Sequence, residues 1–172
     1  MGFIEGLIPQ SPYRLSIQGE DVLVRQFQFV VWVSLTPTTW FTLPPEAPKF
    51  PVLLDTGHNH NFSITEKHLR AWARLEIQSF LGYPTTASIN DSSGRQHEAP
   101  LYDGCLWLYS SDPNAPPLRV ELDGGFTYYP ANHELTGPRI PLLGARSLAT
   151  ARLVLTADFG ALTFSLSPSE SP

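Results

Sequence analysis

The chain has 172 residues, 42% of them hydrophobic and 12% aromatic, enough apolar material for one domain with a substantial core. Charged residues make up only 16% and the net charge is -5. That balance argues against a nucleic-acid partner, because affinity for phosphate backbones rests on clustered Lys and Arg.

Cys105 is the single cysteine, which rules out an intramolecular disulfide and a cysteine-rich zinc site and leads us to expect a reducing, cytoplasmic setting. The N-terminal "MGFIEGLIPQSPYR" lacks a basic region ahead of a long apolar run, and Gly6 stands where a myristoylation pattern wants Ser or Thr. No stretch approaches the roughly 18 apolar residues of a membrane span, so no membrane partner is expected.

Seventeen prolines and twelve glycines cut the chain into short pieces, the punctuation of a mostly-β domain. Residues 1–20 read as an extension, 21–167 as one domain and 168–172 as a disordered tail. "DVLVRQFQFVVWVSL", Asp21 to Leu35, predicts one or two strands; the Pro-rich segment 36–50 that follows must be irregular. "FPVLLD" predicts a buried strand ending at Asp55. "SITEKHLRAWARL" predicts a helix of one to three turns from Ile64, with Ser63 and Glu66 at the spacing of a capping box and Leu69, Trp72 and Ala73 on one face. Thr85 to Tyr109 reads as a hairpin around "DSSG", with Gly94 supplying a positive φ. "PPLRVELDGGFTYYP" gives a strand ending at Gly124-Gly125, with a glycine turn before an edge strand. "RIPLLG" is a short apolar run stopped by Gly144, "ARSLATAR" a short helix, and "RLVLTADFGALTFSLS" a hairpin around Phe159-Gly160 with alternating Leu and Phe. Trp32, Trp40, Trp72 and Trp107, scattered over these elements, read as core or dimer contacts rather than as a carbohydrate platform.

The chemistry-bearing stretch is "PVLLDTGHNHNF". An Asp-Thr-Gly triplet after four apolar residues fits a turn capping a strand, and it equally fits a carboxylate exposed for catalysis. His58 and His60 next to Asp55, with His68 further on, raise a metal site. However, no Glu base stands in a zincin-like helix and Asn59 and Asn61 are poor zinc ligands, so no metal is expected. Peptide hydrolysis by carboxylates needs two of them, one acting as base on water and one supplying a proton to the carbonyl oxygen. Two Asp groups about 3 Å apart cannot both ionise and work as a coupled pair sharing a proton. This chain carries one Asp-Thr-Gly and no second copy, so such a site would take its second Asp55 from another chain of a two-fold homodimer.

The order of these segments resembles the retropepsin-like aspartic proteases, over about residues 20 to 167. Asp55, Thr56 and Gly57 match the family's catalytic triplet; His60, Asn61 and Phe62 match the continuation found in retrotransposon members; Leu142, Leu143 and Gly144 match the distal hydrophobic-hydrophobic-glycine segment. The resemblance implies a mostly-β fold of retropepsin type, a closed barrel-like domain with one or two short helices. It also implies an aspartic endopeptidase acting as a homodimer on a peptide or protein substrate, with no cofactor. Asp55 would be catalytic. Thr56, Gly57, Leu143 and Gly144 would support the catalytic loop, with the Thr56 hydroxyl tying the two loops together. His58 would border the substrate, and the flap tip "DSSGRQ", with Asp91, Ser92, Ser93, Gly94 and Arg95, would close over it. The dyad's shared proton sets the expected activity at acidic to near-neutral pH.

Two departures stand out. His58 occupies a position where the family usually has a small residue, and it could narrow the cleft or pair with Asp55. Ala145-Arg146-Ser147 replaces the Arg-Asp pair that braces the site in the family. A relative that binds extended peptides without cutting them is the alternative these departures raise.

Overall fold

The computed structural model describes residues 2–169. Short β-rich runs between Pro and Gly breaks become fourteen strands and two helices among the described residues. The strands of the first half are β1 (Ile4–Leu7), β2 (Tyr13–Ile17), β3 (Glu20–Val24), β4 (Phe29–Thr36), β5 (Phe50–Asp55) and β6 (Phe62–Thr65). Helix α1 (Glu66–Ala71) follows, then β7 (Gly82–Asn90), β8 (Gln96–Tyr102), β9 (Cys105–Leu108), β10 (Leu118–Glu121), β11 (Phe126–Tyr129) and β12 (Leu142–Gly144). Helix α2 (Ala145–Thr150) and the hairpin of β13 (Leu153–Asp158) and β14 (Thr163–Pro168) close the chain.

Nine strands form one sheet in the order β10-β9-β4-β5-β12-β6-β11-β8-β7. Hydrogen bonding leaves β10 and β7 as its edges, so the closed barrel expected from the sequence is not formed; the class is mostly β with an open, mixed sheet. β1, β14 and β13 make a separate three-stranded sheet, and β2 pairs with β3. The segment 1–20 thus contributes β1 to the sheet of the C-terminal hairpin and β2 to the hairpin with β3. Of the expected tail 168–172, Pro168 ends β14 and residues 170–172 lie outside the described residues.

All of these elements except β7 contribute to one apolar cluster, in which Val24, Val33, Phe50, Phe62, Leu69, Trp72, Leu106, Phe126 and Leu166 are buried. β5 is buried along its length until Asp55, as expected of a central strand flanked by β4 and β12. Trp72 and Trp107 belong to the core, whereas Trp40 is at the surface.

Three local expectations change. The helix begins two residues later than Ile64, because Ile64 and Thr65 still belong to β6, held between β12 and β11. Its N-cap is therefore Thr65, whose hydroxyl accepts from the His68 amide, and the Ser63–Glu66 capping box does not form. The second arm of the long hairpin stops at Tyr102; after Asp103-Gly104 the chain leaves β8 and enters β9, which pairs with β4 and β10. Lastly, the strand after Gly124-Gly125, β11, is interior to the sheet, between β6 and β8. Among the described residues no helix is long and apolar enough to cross a membrane.

Candidate active site

β5 and β6 are consecutive in the chain but not neighbours in the sheet, because β12 threads between them. It runs parallel to β5, pairing Leu143 with Leu54 and Gly144 with Asp55, and antiparallel to β6, pairing Leu143 with Phe62. The two segments singled out in the sequence, Asp55-Thr56-Gly57 and Leu142-Leu143-Gly144, therefore meet side by side. Their approach depends on the absence of a side chain at position 144: a Cβ there would lie 1.9 Å from the His60 carbonyl oxygen and 2.8 Å from that of His58. With no Cβ, the Gly144 amide donates to the Asn61 carbonyl at 2.9 Å.

At the end of β5 the chain turns sharply. The Gly57 amide donates to Asp55 Oδ1 at 2.9 Å and the His58 amide to the Asp55 carbonyl at 3.1 Å. Asp55 is half-buried, and Thr56 and Gly57 are exposed.

His58 turns inward. Its Nε2 meets Ser63 Oγ at 2.8 Å, and its ring lies edge-on to that of His60, with centroids 5.3 Å apart. Among the described residues no hydrogen bond joins its ring to Asp55. Burial pushes its pKa down, the neighbouring His60 adds to this, and Asp55 pulls weakly the other way. The ring is therefore neutral near pH 7 and anchored on β6.

The far side of the loop is held by contacts from α2 and from the Asn61 side chain. Ser147 Oγ on α2 donates to the Asn61 carbonyl at 2.7 Å, beside the Gly144 amide. Asn61 Nδ2 in turn donates to the carbonyls of Asp123 and Gly125, tying the loop to the glycine turn ahead of β11. The sequence matched Asn61 to a family pattern without a task, offered Ser63 only as a helix cap and Ser147 only as part of Ala145-Arg146-Ser147, and gave neither serine a contact at this loop.

The flap residues are placed less directly. Asp91, Ser92, Ser93, Gly94 and Arg95 form the tip of the β7–β8 hairpin, and Gly94 has φ +82, as its turn requires. Asp91 Oδ1 accepts from the Ser93 amide, the Ser93 hydroxyl and the Arg95 amide, while its Oδ2 meets His97 Nε2 at 2.9 Å. The Asp91 carboxylate is thus taken up in holding its own turn. His97 Nδ1 reaches Glu134 at 2.7 Å, so the tip leans toward the loop that follows β11. Among the described residues no hydrogen bond links the tip to the Asp55 loop. The strand arm comes closer: Thr86, Ala87 and Ser88 of β7 share a cavity of about 240 Å³ with His60, Asn61 and Arg146.

Among the described residues no three His, Cys, Asp or Glu side chains are grouped to hold a metal ion; His58 is engaged with Ser63, and His68 is buried against Trp72 and Thr65. No family model matches this chain, and no curated protein and no solved structure matches it either.

Proposed function

We propose that the protein is a retropepsin-like aspartic endopeptidase, in which two Asp55 carboxylates, one from each chain of a two-fold homodimer, activate water for attack on a peptide bond. The observation that carries this reading is the pairing of Gly144 with Asp55, with β12 inserted between the strands on either side of the Asp55 loop. That arrangement fixes the loop from behind and leaves Asp55, Thr56 and Gly57 facing outward, where a symmetry mate would bring up the second carboxylate. One carboxylate would take a proton from water and the other would give one to the carbonyl oxygen. An extended peptide would lie under the β7–β8 hairpin and pair with its backbone. The anchoring of His58 on Ser63 supports the cutting over the non-cutting reading, since the ring neither neutralises Asp55 by a hydrogen bond nor stands free in the cleft. A cytoplasmic setting fits the lone, buried Cys105.

The test is to incubate the protein with unfolded casein or a peptide library from pH 4 to 8, in parallel with Asp55→Asn, and to measure the mass in solution. A dimer whose cleavage falls by at least about a thousandfold in the variant is expected. A monomer, or cleavage equal in both proteins, overturns the mechanism. A dimer that binds peptides and leaves them intact establishes the binding alternative.

A further inference from the structure

The cavity between the flap arm and the Asp55 loop is lined by residues with buried polar atoms that the fold leaves without partners. It is bordered by His60 and Asn61 of the loop, Ser88 of β7, Gly124, Thr127 of β11 and Arg146 of α2. Asn61 is 3% exposed and Thr127 is fully buried, and among the described residues Asn61 Oδ1 and Thr127 Oγ1 have no hydrogen-bond partner. Buried acceptors in that condition are costly unless something enters to satisfy them. The orientation of the Asn61 amide is settled by its surroundings: Nδ2 faces the carbonyls of Asp123 and Gly125, and a flipped amide would set oxygen against oxygen there. Its Oδ1 therefore asks for a donor. Arg146 is exposed at the rim and takes part in none of the ion pairs among the described residues; its guanidinium asks for an acceptor.

We propose that this cavity is a substrate subsite that selects a side-chain carboxamide, Gln or Asn, of the peptide held between the flap arm and the loop. The inference rests on the reading that an extended peptide enters there. A carboxamide supplies two N–H donors, for Asn61 Oδ1 and Thr127 Oγ1, and one oxygen for Arg146. A carboxylate satisfies Arg146 but turns lone pairs toward Asn61 Oδ1. An apolar side chain of equal length satisfies none of the three. At about 240 Å³ the space suits one side chain rather than a free ligand. The cavity also adjoins the reacting loop, since His60 and Asn61 lie next to the Gly144 that pairs with Asp55.

The test reads binding rather than cleavage, so that its outcome is separate from that of the peptidase reading. Labelled extended peptides, with each position in turn made Gln, Glu or Met, are titrated against the Asp55→Asn protein and followed by fluorescence anisotropy. At one position Gln should bind at least about tenfold more tightly than both Glu and Met. Arg146→Met, a change at an exposed position, and Thr127→Val, which keeps the buried shape, should each reduce that advantage to within about threefold. The proposal is overturned if no position favours Gln, if Glu or Met binds as well, or if the advantage survives in both variants. Asp55-dependent cleavage without a Gln preference would remove the subsite and leave the enzyme; a Gln preference in a protein that cuts nothing would do the reverse.

Discussion

Gly144 shows how one missing atom organises the site. A methyl group there would meet backbone oxygens of His60 and His58, which cannot swing aside as the end of a flexible side chain can. Gly144→Ala should therefore destabilise the protein by about 3 kcal/mol, at the upper end of overpacking costs, and would take the proposed cleavage with it; urea unfolding beside a cleavage assay checks both. At Gly57 an added Cβ would stand 3.3 Å from Asp55 Oδ1, a far milder contact. A loss below about 1 kcal/mol in Gly144→Ala would mean that β12 does not pack against the loop as described. The Asp-Thr-Gly and Leu-Leu-Gly segments were legible in the sequence because each follows or forms a buried apolar run that ends abruptly, and their residue types bear directly on chemistry. The direction of the His58 ring was not legible. It depends on Ser63, whose hydroxyl faces that ring only because β6 is clamped between β12 and β11, a tertiary fact with no local signature.

The strands themselves were largely legible from turn residues and alternation, and the failures occurred where neighbouring strands overrode local preference. Ser63 and Glu66 have capping-box spacing, yet the pairing of Ile64 and Thr65 with β11 keeps the backbone extended until Thr65. Asp103-Gly104 ends β8 because β9 is wanted elsewhere, beside β4. The β7–β8 hairpin was foreseen with its Gly94 turn, but its tether was not. His97 is buried between Asp91 and Glu134, and satisfying both carboxylates requires a proton on each ring nitrogen. Its pKa is raised, by the Asp91 hydrogen bond first and by Glu134 after it, while Asp91 is held well below the usual carboxylate range by the Ser93 hydroxyl and then by His97. A raised histidine contributes stability that is complete below the unfolded value near 6.5 and is lost as the pH climbs through its folded value. The tether of the β7–β8 hairpin tip to the loop after β11 is therefore an acid-side contact. In NMR titrations the His97 ring should show a midpoint above 6.5 that falls in Glu134→Gln, and the Ser93 and Arg95 amides should lose protection as His97 deprotonates. A His97 midpoint at or below 6.5 would rule the tether out.

Across the molecule as a whole, acid has the opposite effect at a second histidine. His68 is on the buried face of α1, its Nδ1 2.9 Å from the Thr65 hydroxyl and its ring 4.3 Å from that of Trp72. Burial lowers its pKa to about 4, with the Lys67 charge adding to the effect and Glu20 opposing it. A histidine depressed in this way is neutral when folded and takes up a proton more readily when unfolded, so stability falls as the pH drops from about 6.5 toward 4. The integrated loss is about 3 kcal/mol, a large share of the roughly 5–15 kcal/mol that holds a domain together. The proposed dyad would need a proton to work, and acid would supply it, but the same acid drives a charge into the contact between α1 and β6. These opposing demands confine the expected activity to mildly acidic and near-neutral pH, with the acid limb set by unfolding rather than by chemistry. Urea unfolding at pH 6.5 and pH 4.0 separates the two causes. The wild type should lose about 3 kcal/mol more between those values than His68→Gln, which cannot take up the proton. Equal losses in the two proteins would rule out His68 as the source of the acid-side instability.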